Sequence, residues 1–241
     1  MPSGDQRHRS FRNRRAFLTS VAGVGSLGLA GCLGSGDANQ STTQSSTGVS
    51  VAALGLANEP VLGRNDAGVT MVYWGDFNCM YCYKFAQETF PRIRESYVQS
   101  GDLRVVYKNL ITMGEDSMTL AVASQAAWSL LGDTQPDAYW QWHEQLSADQ
   151  KERKQNEKSV MEDIVATTRK TGVLEPDKLT STMETIDTSE IQADGEEASQ
   201  RGIQGTPSFV VYPTGGERGT KIVGAQPFSK FESVISDMNT E

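Results

Sequence analysis

The chain has 241 residues and a formal charge of −8, from 22 basic and 30 acidic side chains, and 37% of it is hydrophobic. That is long enough for one well-cored domain. With this acidic balance and only nine lysines the chain beyond residue 31 offers no basic patch to neutralise phosphates, which makes it a poor nucleic-acid binder.

Residues 1–31 hold five arginines and a single acid. A basic stretch containing Arg14-Arg15-Ala16-Phe17-Leu18 runs into a glycine-rich apolar segment ending at Gly31. At about 16 residues that segment is short of the roughly 20 a membrane span needs, and its layout is that of an export signal. The arginine pair resembles a twin-arginine signal, although Asn13 and Thr19 depart from its usual flanks. Leu29-Ala30-Gly31-Cys32 resembles a lipobox, with Cys32 as the lipidated residue. Removing residues 1–31 leaves a chain of charge −12, anchored outside the cytoplasm to the cell membrane through Cys32. Residues 32–57 then read as the lipidated cysteine and a linker of Gly, Ser, Thr, Gln and Asn, too polar to bury a core and expected to act as a flexible tether.

Residues 58–241 form the folded domain in this reading. An apolar run, Val69 to Trp74, reads as a strand and leads through Gly75-Asp76-Phe77-Asn78 into Cys79-Met80-Tyr81-Cys82. A helix is expected from Cys79 to about Gln99 with a kink or restart at Pro91, then a second strand at Leu103–Lys108, which completes a βαβ unit. Helical spacing follows at Ser117–Leu131, Pro136–Leu146, Ser159–Thr171, Pro176–Ile186 and Glu190–Arg201. Ser208–Tyr212 and Lys221–Val223 read as a hairpin across Pro213-Thr214-Gly215-Gly216, and Ser229–Met238 as a last helix.

A C-x-x-C that closes a strand and opens a helix points to redox chemistry rather than to a metal knuckle. Two thiols three residues apart in a first helical turn can close a small disulfide ring. The first also lies among unpaired backbone N–H groups at the positive end of the helix dipole, which favours its thiolate.

Phe77-x-Cys79-x-x-Cys82-Tyr83-x-Phe85 at the first helix, Gly205-Thr206-Pro207-Ser208-Phe209 before the hairpin and a helical segment between the two halves resemble the DsbA family of thiol-disulfide oxidoreductases. Pro60-Val61-Leu62-Gly63, Gly75-Asp76-Phe77 and Tyr139-Trp140-Gln141-Trp142-His143-Glu144 are similar to its BdbD-like branch. The resemblance implies an α/β, thioredoxin-like fold with a helical insertion at about residues 111–204. It also implies a cis Thr206-Pro207 bond facing the disulfide, with Thr206 and Pro207 meeting an extended substrate. Cys79 is expected to be the exposed, acidic, attacked thiol, and Cys82, one turn in, the buried resolving one. Met80 and Tyr81 would tune the potential. Strongly oxidising members carry Pro-His there, so this pair is expected to be less oxidising.

Two positions depart further. Tyr73 stands where many thioredoxin-fold enzymes keep a buried acid that moves the resolving thiol's proton; Asp76, nearer in sequence, is a second candidate for that acid, with the turn-residue reading preferred. His143 reads as a packed or capping side chain. No metal site is expected, since a metal would need three or four ligands. The resulting expectation is an exported, membrane-anchored protein-disulfide oxidoreductase, with the Cys79–Cys82 disulfide in place of a bound cofactor. It would act on exported protein substrates together with a membrane redox partner. The alternatives are a reductase or isomerase fed by a membrane electron donor, and a copper(I)-binding chaperone using Met71, Met80 and the cysteines.

Overall fold

The computed structural model describes residues 48–238. Six strands form one sheet: β1 (Val49–Ser50), β2 (Val61–Leu62), β3 (Val69–Gly75), β4 (Leu103–Asn109), β5 (Ser208–Pro213) and β6 (Arg218–Val223), in the order β1-β6-β5-β3-β4-β2. Only β3 and β4 are parallel; the other neighbours are antiparallel. Every residue of β3 is buried. That explains its unbroken apolar run, because a central strand covered on both faces need not alternate.

The period-two geometry of strands splits the core in two. On one face Val69, Met71 and Tyr73 of β3 meet Val105 and Tyr107 of β4 and Phe209 and Val211 of β5. Helix α1 (Met80–Glu88) adds Phe85 to this face, and α8 (Phe228–Met238) adds Phe231. On the other, Val72, Trp74, Val106 and Val210 pack with Val51, Ala198 and Ile203.

Between β3 and β4, α1 gives way at Thr89 to α2 (Phe90–Ile93) and a wider turn over Arg94–Val98. Pro91 lies in the first turn of α2, where its missing N–H is harmless, so of the kink or restart expected there the structure has the restart. Five helices separate β4 from β5: α3 (Glu115–Leu131), α4 (Pro136–Gln155), α5 (Val160–Thr171), α6 (Pro176–Met183) and α7 (Ser189–Gln200). Helix α5 has the bounds its sequence announces. Ser159 and Glu162 form a reciprocal capping box, and Gly172 takes the left-handed conformation at its end (φ 64°).

Two expectations are corrected, and two strands are added. The tether reading extended to residue 57, but Val49–Ser50 pairs with Arg218–Gly219 and Val51 is buried, so the chain is already part of the sheet from there. Both β1 and β2 escape sequence reading because two residues carry no pattern. Helix α4 continues nine residues past Leu146, to Gln155. The inward positions of that extension are the polar Ser147, Gln150 and Arg153, so apolar spacing fails to report it. Arg153 is held inside by Asp163 and by the carbonyl of Phe77 at 3.1 Å.

Candidate active site

Strand β3 ends at Gly75 against aromatic rings: a Cβ there would lie 2.6 Å from Tyr107 and 2.9 Å from Tyr73. Three residues then turn the chain into α1. The N–H of Cys79 donates to the carbonyl of Asp76 at 3.0 Å, and that of Asn78 to Asp76 Oδ1 at 2.8 Å. From outside, α4 clamps the turn, Arg153 on the Phe77 carbonyl and Lys154 Nζ on that of Asn78 at 2.6 Å.

Cys79 is the N-cap residue of α1, with extended dihedrals (φ −85°, ψ 123°) and no side-chain cap bond. Its sulfur is therefore left to face the first helical turn. Its pKa is lowered to about 5, first by a hydrogen bond from the Cys82 thiol, then by Thr206 and the N–H groups of Cys82 and Tyr81, with burial opposing. Cys82 goes the other way. Burial, then the Cys79 hydrogen bond and charge, push its thiol well above the usual value, and the Asp76 N–H reaches its sulfur at 3.5 Å. Both thiols are free.

The accessibility of Cys79 differs from the expectation. It is only 7% exposed, close to the 5% of Cys82, because the loop before β5 covers it: Cys79 Sγ donates to the carbonyl of Thr206 at 3.4 Å. The Thr206-Pro207 bond is cis, and Thr206 lies against both Cys79 and Cys82. Met80 and Tyr81 do not turn inward. They are 46% and 67% exposed and form a rim beside the thiols rather than a lining. Met71 is buried in the core. Cys32 lies outside the described residues.

Asp76 is more than a turn residue. It is buried, and Oδ2 accepts from the Thr112 N–H at 2.9 Å, the Thr112 hydroxyl at 2.7 Å and the Ser117 hydroxyl at 2.9 Å. The Thr112 hydroxyl in turn lies 3.4 Å from that of Thr206. One carboxylate thus ties the turn before Cys79 to the start of the insertion and, through it, to the loop over the sulfur. Sequence reasoning missed Thr112 and Ser117; both are small hydroxyl residues about 36 and 41 positions from Asp76, with no local signal.

Beneath the thiols Tyr73 stacks on Phe209 (4.9 Å) and meets Phe85 and Tyr107 edge-on (both 5.2 Å). Each such pair adds about 0.5–1.5 kcal/mol beyond burial. Burial first, then Cys82, pushes the Tyr73 hydroxyl well above its usual range, so it is neutral. His143 is packed as expected, edge-on to Phe77 (4.8 Å) and Tyr107 (4.6 Å), but it caps nothing.

Comparison with known proteins agrees with this geometry. The family model described as Thioredoxin matches residues 56–237. Disulfide bond formation protein D of Bacillus subtilis (strain 168) is 30% identical over 177 residues, 72% of this chain and 76% of that protein. Probable disulfide bond formation protein D of Bacillus anthracis is 26% identical over 153 residues, 62% and 68% of the two chains. Among solved structures, oxidised BdbD from Bacillus subtilis matches with a TM-score of 0.66 at 26% identity, covering 76% of this chain and 94% of that one. Alpha-DsbA1 of Wolbachia pipientis, at 17% identity, TM-score 0.66 and coverage of 78% and 94%, is alike in fold.

Proposed function

Since the chain belongs to the DsbA-like thiol-disulfide oxidoreductases of the thioredoxin family, we propose that it introduces or exchanges disulfides in exported proteins through Cys79 and Cys82. The observation that carries this reading is the unequal acidity of the two thiols, about 5 for Cys79 and well above 9 for Cys82, with the Thr206 carbonyl against the first. In the oxidised protein a substrate thiolate attacks Cys79 Sγ, the Cys79–Cys82 bond breaks, and the electron pair passes to Cys82. The substrate's second thiol then attacks the mixed disulfide at the substrate sulfur. Cys79 leaves as a thiolate that its surroundings already stabilise, and the substrate keeps the new disulfide. A low leaving-group pKa speeds that release and favours the reduced form, which makes the oxidised form an oxidant.

Substrate chains would approach across the exposed Met80 and Tyr81 and the exposed Met113, an apolar rim suited to unfolded polypeptide. The Cys79–Cys82 disulfide is the whole redox equipment in this reading, and a membrane redox partner restores it. The same proposal places the domain outside the cytoplasm, exported through Arg14-Arg15 and anchored by lipid on Cys32. Among the described residues no helix is long and apolar enough to cross a membrane, so an anchor would have to come from elsewhere in the chain. Cys32→Ser should release the protein from the membrane fraction or block its processing, with thiol exchange unchanged.

The decisive experiment separates the two thiols. Cys79→Ser should abolish oxidation of a reduced two-cysteine peptide. Cys82→Ser should retain attack and accumulate mixed disulfides on a non-reducing gel. Equal inactivity of two folded variants with nothing trapped would overturn the exchange reading in favour of metal binding. A measured potential for the couple as low as that of cytosolic thioredoxin would reverse the proposed direction, to a reductase.

A further inference from the structure

Helix α4 satisfies the polar atoms it buries, with two exceptions. Trp140 Nε1 donates to the Val61 carbonyl at 2.8 Å, Trp142 Nε1 to Thr168 Oγ1 at 2.9 Å, and the Tyr139 hydroxyl pairs with Ser124 at 2.8 Å. His143 and Gln150 are as deeply buried, yet neither ring nitrogen of His143 nor Nε2 of Gln150 has a hydrogen-bond partner. Two turns apart on one helix face, both open onto one cavity of about 10 Å³ of room for a water's centre, shared with Cys82, Asp76, Tyr73 and Tyr107. A space of that size admits a single water, and buried polar groups around such a space are the usual setting for one.

We propose that His143 and Gln150 hold one water against Cys82, and that this water carries the proton the resolving thiol gains or gives up during exchange. The inference rests on the exchange reading above. When a substrate thiolate attacks Cys79 Sγ, a bond forms between those sulfurs, the Cys79–Cys82 bond breaks, and the electron pair goes to Cys82. That sulfur is buried, and a bare thiolate there is costly, so it takes a proton as it leaves. The water delivers the proton and regains one from solvent, which received one when the substrate thiol ionised. In the reverse step Cys82 gives its proton back along the same route.

The other groups facing the cavity do not fill this role. Asp76 has both oxygens engaged by Asn78, Thr112 and Ser117. Tyr73 and Tyr107 are held protonated by burial, and Tyr83 lines the cavity from α1. Ser147, which also lines the cavity, donates its hydroxyl to the His143 carbonyl at 2.9 Å. Burial lowers His143 to about 3, so it is a neutral imidazole with one donor and one acceptor, a relay that positions water rather than a proton store. The insertion helix thereby supplies what a buried acid at Tyr73 would have supplied.

His143→Phe and Gln150→Leu keep the packing and remove the polar atoms. Rapid acid quenching of the oxidised protein reacting with a reduced two-cysteine peptide should show each variant about tenfold slower, the double variant no slower than either, and a smaller solvent deuterium effect than in the parent. In a Cys82→Ser background, where no proton moves at Cys82, His143→Phe should leave the reaction of Cys79 with an external disulfide unchanged. Parent-like rates in both single variants would overturn the relay, as would equal slowing in the Cys82→Ser background. A parent that exchanges no disulfide would overturn the exchange reading as well; a parent that exchanges normally confines the failure to the relay.

Discussion

The two faces of the central sheet treat charge in opposite ways. Tyr73 and Tyr107 are register partners on β3 and β4, and under the thiols that face presents neutral rings. One step along, Trp74 pairs with Lys108 on the other face. There a lysine only 2% exposed meets Asp194 at 2.6 Å, Glu59 at 3.0 Å and Glu197 at 3.1 Å, with Arg201 3.6 Å from Glu197. Strand alternation makes this possible, because neighbouring residues belong to different cores. The difference teaches how this chain buries ions: behind the sheet a lysine-centred network braces α7, whereas on the thiol side Asp76 and the Arg153–Asp163 pair hold the turn before Cys79 and the layer of rings beneath the sulfurs stays neutral.

The largest expected effect breaks the far face alone. Lys108→Met leaves Asp194 and Glu197 without their buried cation and should destabilise the domain by about 3–5 kcal/mol, read from urea denaturation. Exchange by the remaining folded molecules should match the parent. A slowed rate per folded molecule would mean the two faces are coupled.

Smaller, and on the thiol side, is Asp76→Ala. It strands the Thr112 and Ser117 hydroxyls and two backbone N–H groups, at a cost of about 2–3 kcal/mol. It should also slow exchange, since the turn before Cys79 and the loop over it share that carboxylate. Unchanged kinetics in a folded variant would reduce Asp76 to a turn residue after all.

The subtlest test is pH, to which the faces should respond in opposite senses. Burial first, then Asp194, raises Glu59 to about 8, so the folded protein holds a proton the unfolded chain releases. That stability is full below about 4.5, the unfolded value, and is lost as pH rises through about 8. Cys79 is depressed to about 5 from an ordinary 9. Its contribution in the reduced protein is therefore full above 9 and lost as pH falls through about 5. Glu59→Gln should flatten the first dependence, and oxidation of the pair should remove only the second.

Much of this was legible in the chain. The βαβ unit and α5 followed from apolar spacing, and the thiol pair from its place between strand and helix. The cis bond and the Thr206 contact followed from resemblance. What escaped shares one cause, namely that its signal lies in distant partners. Lys108 reads as a surface residue until Glu59, Asp194 and Glu197 are brought to it. The low exposure of Cys79 depends on a loop 127 residues away. Gln150 and Arg153 look like a solvated helix end because their inward role is polar.

The sheet's two outermost strands, β1 and β2, have two residues each. A long, flat outer strand offers a row of free N–H and C=O groups on which another chain can grow, and stubs this short offer almost none. Val61–Leu62 closes off β4 at Val105 and Val106, while Val49–Ser50 closes off β6 at Arg218 and Gly219. In the proposed function the protein meets unfolded, thiol-bearing polypeptides, segments eager to aggregate. Each stub caps two residues of the strand beside it, which shortens the open edge against which such segments could stack.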